Sequence, residues 1–464
     1  MKRALSLIPI VLMAGCVAGP NYRVPKDAMV QRPDIAEPFL GQKDAGVTQQ
    51  ELPPHWWRLY ENPRLDSYVE EALSANTDLR VAEANLRRAS AVVKEAEAGR
   101  TISATVSGQA LGARPHGPDG ALPGTFSYAL GFDAAYSPDL AGSLRRGIEA
   151  ASVQAEAAVA ARDQVRVVVA AGVTRSYARI CAANMSLAAA RRVAEIQHAT
   201  LDVAERLARG GRGTRFDMDR ARAAAYSADA AVPDLLAERR AALFELAALM
   251  GRPPADYPRE AETCSIIPTV SRAIPSGDGA MLLRRRPDIR VAERSLAAAI
   301  ASIGVAEAEL YPSVSFGASG GTAASTGHLL APSSFGFSLG PLLSWSFPNR
   351  QLVRARIAQA GADADAELAR FDGTVLLALQ QTETALSSYA RARDRFKDLQ
   401  SAAEAAGKAS ADAEKLQRFG RVPFLDLLTA QAAYAEAQTS QSAARTVLVD
   451  RQIDLFLALG GGWE

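Results

Sequence analysis

The chain is poor in the residues from which most metal and catalytic sites are built. Only four of its 464 residues are histidine, and His55, His116, His198 and His328 fall in four separate segments. Only three are cysteine: Cys16, Cys181 and Cys264. No spacing among them makes a zinc pattern or a disulfide scaffold. There is no HExxH, no GxSxG and no GxGxxG after a strand, so the sequence predicts no enzyme, no metal and no catalytic residue. Neither sign of charge is in excess: 52 Lys and Arg against 51 Asp and Glu leave a net +1. A near-neutral chain lacks the electrostatic footprint of a nucleic-acid binder. The run "RRR" at Arg284 to Arg286 reads instead as a solvated turn ahead of a helix entered at Pro287-Asp288.

The N-terminus is short of apolar length as well. Ala4 to Met13 is greasy, but it falls well below the about 20 residues that span a bilayer. With Lys2 and Arg3 ahead of it, the run reads as a secretory signal. It ends Leu12-Met13-Ala14-Gly15-Cys16, which resembles a bacterial lipobox. That resemblance implies a diacylglycerol on the Cys16 thiol, cleavage ahead of Cys16, and an N-palmitoyl group on the new amine. Val17, in place of aspartate, implies sorting to the outer membrane. Several acyl chains anchor stably where one is marginal. No other cofactor is called for. Cys181 and Cys264 are far apart in the sequence, and both the paired and the free state stay open.

What the chain does have is a tandem repeat. "TDLRVAEANL" from Thr77 returns as "PDIRVAERSL" from Pro287, and "FDMDRARAAAY" from Phe216 returns as "LDLLTAQAAY" from Leu425. Nearly equal offsets point to duplication of a whole unit, far longer than a solenoid repeat. The organisation read from this is a signal peptide at 1–15 and a lipidated extended segment at 16–62. A first repeat follows at 63–260, with strands at about 101–111 and 125–137. A second spans 261–464, with strands at about 312–322 and 334–346. In each repeat an amphipathic helical stretch comes first (Pro63 to Gly99, Met281 to Leu310), then two strands. A very long Ala-rich helix follows, ending at Arg209 or Arg418, then a glycine-containing break and a last helix half as long. A helix of roughly 70 residues reaches about 100 Å. Ala favours both helix formation and close approach.

The strands alternate cleanly. Phe126, Tyr128, Leu130 and Phe132 interleave with Ser127, Gly131 and Asp133; Phe335, Phe337 and Leu339 interleave with Gly336, Ser338 and Gly340. Their length suits a tilted transmembrane strand. An apolar face opposite a small polar one suits lipid outside and water inside. Four strands cannot close a barrel, and hydrocarbon does not tolerate an open sheet edge. Several chains must therefore share one barrel.

The lipobox, "LLRRRPDIRVAE" (Leu282 to Glu293), "AELYPSVSFGASGG" (Ala308 to Gly321) and "GRVPFLDLLTAQAAY" (Gly420 to Tyr434) together resemble the TolC-type outer-membrane factor family of efflux systems. Within it they resemble the OprM- and NodT-like lipoprotein branch. The resemblance implies a homotrimer with a 12-stranded transmembrane β-barrel, four strands from each chain, continued by a long α-helical periplasmic barrel of coiled coils. It implies an outer-membrane location, a periplasmic adaptor and an inner-membrane RND transporter as partners, and service as the exit duct of a tripartite pump. A periplasmic gate falls by alignment on Asp426 and Thr429, with Asp217 in an inter-helix link whose usual arginine falls near Arg421 or Val422, with Arg220 and Arg215 as substitutes. The helix tips, with Gly213, Arg215, Gly420 and Arg421, fall where the adaptor docks; Gly213 and Gly420 match as helix caps, and Pro423 suits the first turn of the last helix. Two other readings are a duct for type I or ABC-driven secretion and a non-conducting trimeric surface protein.

Overall fold

The computed structural model describes residues 17–461 apart from 115, 119, 122, 271, 326–330 and 346–349. The signal peptide and Cys16 lie outside the described residues. The element order is α1 (Gln42–Ala45), α2 (Pro63–Ala75), α3 (Thr77–Ala98), β1 (Ser103–Ala113), β2 (His116–Gly117), β3 (Gly120–Ala121), β4 (Thr125–Tyr136), α4 (Ser143–Arg209) and α5 (Arg215–Leu249). The second half gives α6 (Gly279–Arg285), α7 (Pro287–Ala308), β5 (Ser313–Ser325), β6 (Phe335–Ser344), α8 (Arg350–Arg418) and α9 (Phe424–Ala458). The repeated order expected from the sequence is present.

Two stretches read as single helices are each divided. Asn76 is extended, and its side chain accepts hydrogen bonds from the amides of Asp78 and Leu79, so it stops α2 and caps α3. Arg286 is extended because Pro287 follows it, and proline disfavours helical geometry in the residue before it. The long helices hold 67 and 69 residues, so each is about 100 Å long. α5 and α9 hold 35 each, half that length.

The sheet runs β1-β4-β5-β6, antiparallel throughout. Observed ends differ from the expected ones by up to three residues; position 346 of the last expected strand lies outside the described residues. The register puts Val106, Phe132, Gly320 and Phe337 on one transverse row, and Gly108, Leu130, Thr322 and Phe335 on the next row of the same face. The opposite face carries Ser103, Thr105, Ser107, Ser313, Ser315, Ser319 and Ser338. The apolar face is open in the isolated chain: Phe337 is 90% exposed and Leu339 81%. β1 and β6 each leave one edge unpaired among the described residues.

The chain forms two compact units, and each repeat contributes to both. One holds the described part of Met1–Lys26 with Asn85–Val159 and Val291–Phe371, and so all four long strands. Its first residues are pinned by Arg146, which is buried and donates to the carbonyls of Ala18 and Gly19, to Asn21 Oδ1 and to Glu149. The other unit holds Asp27–Ala84, Ala160–Arg290 and Asp372–Glu464. Its core includes Trp56, Trp57, Tyr60, Tyr177, Leu243 and Phe456, and Trp56 stacks on Phe456 with ring centres 4.5 Å apart. The tryptophans thus pack against helices. An N-terminal strap is held to α8 by hydrogen bonds. The Met29 amide donates to Asp372 (2.7 Å), the Leu40 and Gly41 amides donate to Glu383, and Arg391 and Arg393 reach Asp44 and Ala45. Cys181 and Cys264, left open by the sequence, form a disulfide across a separation of 83 residues.

Candidate functional site: the helix tips

The two helical hairpins turn in the same way. At the end of α4 the amide of Gly211 donates to Ala208 O (3.1 Å) and that of Arg212 to Leu207 O (2.9 Å). At the end of α8 the amide of Gly420 donates to Gln417 O (2.9 Å) and that of Arg421 to Leu416 O (2.9 Å). Both are Schellman closures, with a left-handed residue just past the helix. That residue has φ +69° at Gly211 and +65° at Gly420. A Cβ at either position meets nothing within 4 Å, so the demand for glycine there is conformational. The sequence reading paired Gly213 with Gly420; the structure corrects this to Gly211. Gly213 keeps a negative φ and is needed for room, because a Cβ there would come within 3.0 Å of the Ala208 amide nitrogen.

The helices that follow start differently, and this sets apart the two aspartates. Thr214 caps α5; its hydroxyl accepts from the Asp217 amide (3.1 Å), while its own amide and hydroxyl donate to the Asp217 carboxylate (3.3 and 2.6 Å). This reciprocal capping box engages Asp217 locally. α9 has Pro423 at the same position. Pro423 stands at the cap itself, one residue before the first turn that the sequence suggested. Proline offers neither a hydroxyl nor an amide hydrogen, so no box forms. The Asp426 carboxylate is exposed and has no hydrogen-bonding or ionic partner among the described residues, although its amide donates to Pro423 O. Both carboxylates sit where the helix dipole favours them.

The other expected residues are placed as follows. Thr429 is exposed, and its hydroxyl donates to Leu425 O (2.9 Å). Arg220 lies over the Phe216 ring, 5.5 Å from its centre. Arg215 pairs with Asp219 at 3.8 Å. Within one chain, therefore, neither arginine meets Asp217. Arg421 is exposed, with no acidic partner among the described residues. Polar links between helices do exist further back from the tips: Thr200 donates to Gln431 (3.0 Å), Arg222 approaches Glu205 (3.4 Å), and His198 approaches Asp229 (2.9 Å). The tips also expose Phe216 (65%) and Phe419 (80%). Apolar and cationic groups thus face solvent together there, as on a surface that receives another protein.

Sequence reasoning missed Arg286. It is not part of a solvated turn. It is 7% exposed, and its guanidinium donates to both Asp288 oxygens, to Ala458 O (2.8 Å) and to Gln381 (2.8 Å). Arg285 donates to Leu459 O (2.9 Å). The two arginines cap the C-terminus of α9, whose last carbonyls have no helical partner. The arginine run followed by Pro-Asp was the available signal; its partner at the far end of the chain was not.

A four-stranded sheet with one apolar face and open edges, joined to two helices about 100 Å long that each turn back into a helix of half that length, describes an oligomeric outer-membrane conduit. Comparison with known proteins agrees. The sequence model of the outer membrane efflux protein family matches residues 68–252 and 280–461, and the chain belongs to that family. Nodulation protein T of Rhizobium leguminosarum bv. trifolii is 28% identical over 98% of this chain and 96% of its own. The outer-membrane channel OprN superposes with a TM-score of 0.86 at 34% identity, over 97% of this chain and 100% of its own. The open state of the Neisseria gonorrhoeae MtrE outer membrane channel gives a TM-score of 0.81 at 26% identity, over 97% and 99%. The chain is an outer-membrane efflux channel protein, and its task is transport.

Proposed function

We propose that three copies of the chain form the exit duct of a tripartite efflux pump, shut at the helix tips by Asp426. The sheet carries this reading. Its two open edges and its exposed apolar face are tolerated in a bilayer only if copies close a barrel. The long hairpins extend the duct into the periplasm, where the adaptor of an inner-membrane RND transporter meets the tips at Arg215, Arg421, Phe216 and Phe419. Asp426 is the carboxylate left free by Pro423. Three of them around a narrow axis hold cations and repel one another. Thr429 lies one helical turn behind as a neutral second ring. Asp217 is held in its capping box in the single chain and takes part in shutting only where a neighbouring chain supplies the cation. Cys16 carries the acyl chains, and the strap beyond it holds the N-terminus to the protein.

The experiment is native mass followed by single-channel conductance of the detergent-purified protein, with Asp426→Ala beside the wild type. The expected result is a trimer with a small cation-preferring conductance that rises in the variant. A monomer, or a trimer that conducts neither as wild type nor as Asp426→Ala, refutes the duct. Radioactive palmitate should label the wild type and not Cys16→Ser; label retained in the variant removes the lipidation.

A further inference from the structure

The four long strands contain one charged residue, Asp133, and it lies on the serine-rich face. The register sets its neighbours. Thr105 of β1 lies directly across from Asp133, Ser319 of β5 lies across from it on the other side, and Ser338 of β6 lies across from Ser319. The Ser319 and Ser338 hydroxyls are 2.8 Å apart. One transverse row of the sheet, edge to edge, is thus Thr105-Asp133-Ser319-Ser338, every member bearing side-chain oxygen. No cation pairs with Asp133 among the described residues, and it is exposed. The rows above and below on this face are less polar: Ser103, Ala135, Gly317 and Gly340, and Ser107, Gly131, Gly321 and Gly336.

We infer that this row is a charge-selective belt inside the barrel, which favours cationic solutes over anionic ones independently of the periplasmic gate. The inference rests on the trimeric duct proposed above, in which three-fold symmetry sets three Asp133 carboxylates at one height, each flanked by the three hydroxyls of its row. A lipid-facing carboxylate is strongly disfavoured, which places this face toward water. Strands about 4.8 Å apart and tilted about 40° give a twelve-stranded barrel a backbone radius of about 12 Å. The three carboxylates then stand about 15 Å apart across open water, too far to share a bound ion. They act through the field, which reaches about 30 Å at 0.01 M salt and about 8 Å at physiological strength. The belt therefore selects strongly in dilute salt and weakly in concentrated salt. Its hydroxyl members add polar surface without charge.

The barrel opens outward whatever the gate does, so the test needs no conducting channel. Ser319→Cys places a thiol beside Asp133; of the three native cysteines, Cys181 and Cys264 are held in their disulfide and Cys16 is the residue acylated in the duct proposed above. The trimer in liposomes is labelled with membrane-impermeant methanethiosulfonates, one cationic and one anionic. At 10 mM salt the cationic reagent should react about tenfold faster relative to the anionic one than it does in Ser319→Cys/Asp133→Asn, from Coulomb attraction of the one and repulsion of the other at cross-strand distance in water. In 1 M salt the two proteins should agree. An equal rate ratio in dilute salt overturns the belt, and so does failure of both reagents to reach the thiol in an intact trimer. Native mass is recorded on the same sample; a protein that is not trimeric refutes the duct itself, a different failure.

Discussion

Replacing Asp288 by asparagine should cost more stability than its partly exposed position suggests. Its two oxygens take the Arg286 guanidinium at 3.0 and 2.6 Å, and the arginine is buried at the end of α9. Asparagine keeps the shape but leaves a buried cation without its anion. Breaking a buried pair from one side typically costs about 3–5 kcal/mol. A unit of this size loses about 2 °C of melting temperature per kcal/mol, so the fall should be about 6–10 °C. Intrinsic fluorescence is a suitable readout, because Trp56 stacks on Phe456 in the last turns of the helix that Arg286 caps. Arg286→Met on the Asp288→Asn background removes the stranded charge and should recover at least half the loss, since an apolar replacement of a buried pair is often nearly neutral. Melting within 2 °C of wild type for Asp288→Asn, or a double variant that loses the sum of both single losses, would refute the idea that the pair acts as a buried, coupled cap.

Phe337→Lys should abolish heat-stable trimer on unheated gels, because a lysine at the lipid midplane costs about 2–4 kcal/mol in each chain; normal trimer would mean that this face does not meet lipid. Cys181→Ser/Cys264→Ser should lower the denaturant midpoint, with a loss of up to about 4.5 kcal/mol from a loop of this length; an unchanged midpoint would assign the bridge no role in stability. Burial holds the phenols of Tyr60 and Tyr389 above the usual tyrosine range and pushes Tyr68 up to about 12. The unfolded chain releases these protons near pH 10 and the folded chain later, so the unfolded state binds fewer protons between about 10 and 12 and stability falls as pH rises there. Absorbance of ionised tyrosine during an alkaline titration should therefore show a late fraction that appears together with unfolding; complete ionisation near pH 10 in a folded protein would contradict it.

Much of the architecture was legible because it rests on period and length. Alternation such as Phe126, Tyr128, Leu130 and Phe132 can only make a two-faced strand, and an uninterrupted Ala-rich run to Arg418 can only make a very long helix. Local punctuation was readable in part. Pro287 announced a boundary whose helix on the near side was still read as continuous, and Asn76 was not recognised as both a stop and a cap. The tips were located correctly, but Gly213 was chosen over Gly211. The three glycines of "RGGRGT" give no local clue to which one takes the left-handed turn. Arg286 and the disulfide were not legible at all. Their partners lie on elements far away in sequence, Ala458 and Gln381 for the arginine and Cys181 for Cys264. Only the folded chain reveals what a buried cation or a thiol has found.

The positions of the disulfide and of the N-terminal strap imply an order of events during export. A chain that crosses the inner membrane from its N-terminus presents Cys181 and Cys264 to the oxidising periplasm while nearly all of the second repeat is still behind it. The bridge can therefore close the first hairpin as soon as about half the protein has emerged. The strap waits. The Met29 amide finds its acceptor on Asp372, 343 residues later, and Asp44 finds Arg391. The segment that leaves the membrane side first is thus among the last to be fastened. A chain truncated after Cys264 and ahead of Asp372 would keep both cysteines of its bridge and leave its strap without the acceptors and donors that fasten it.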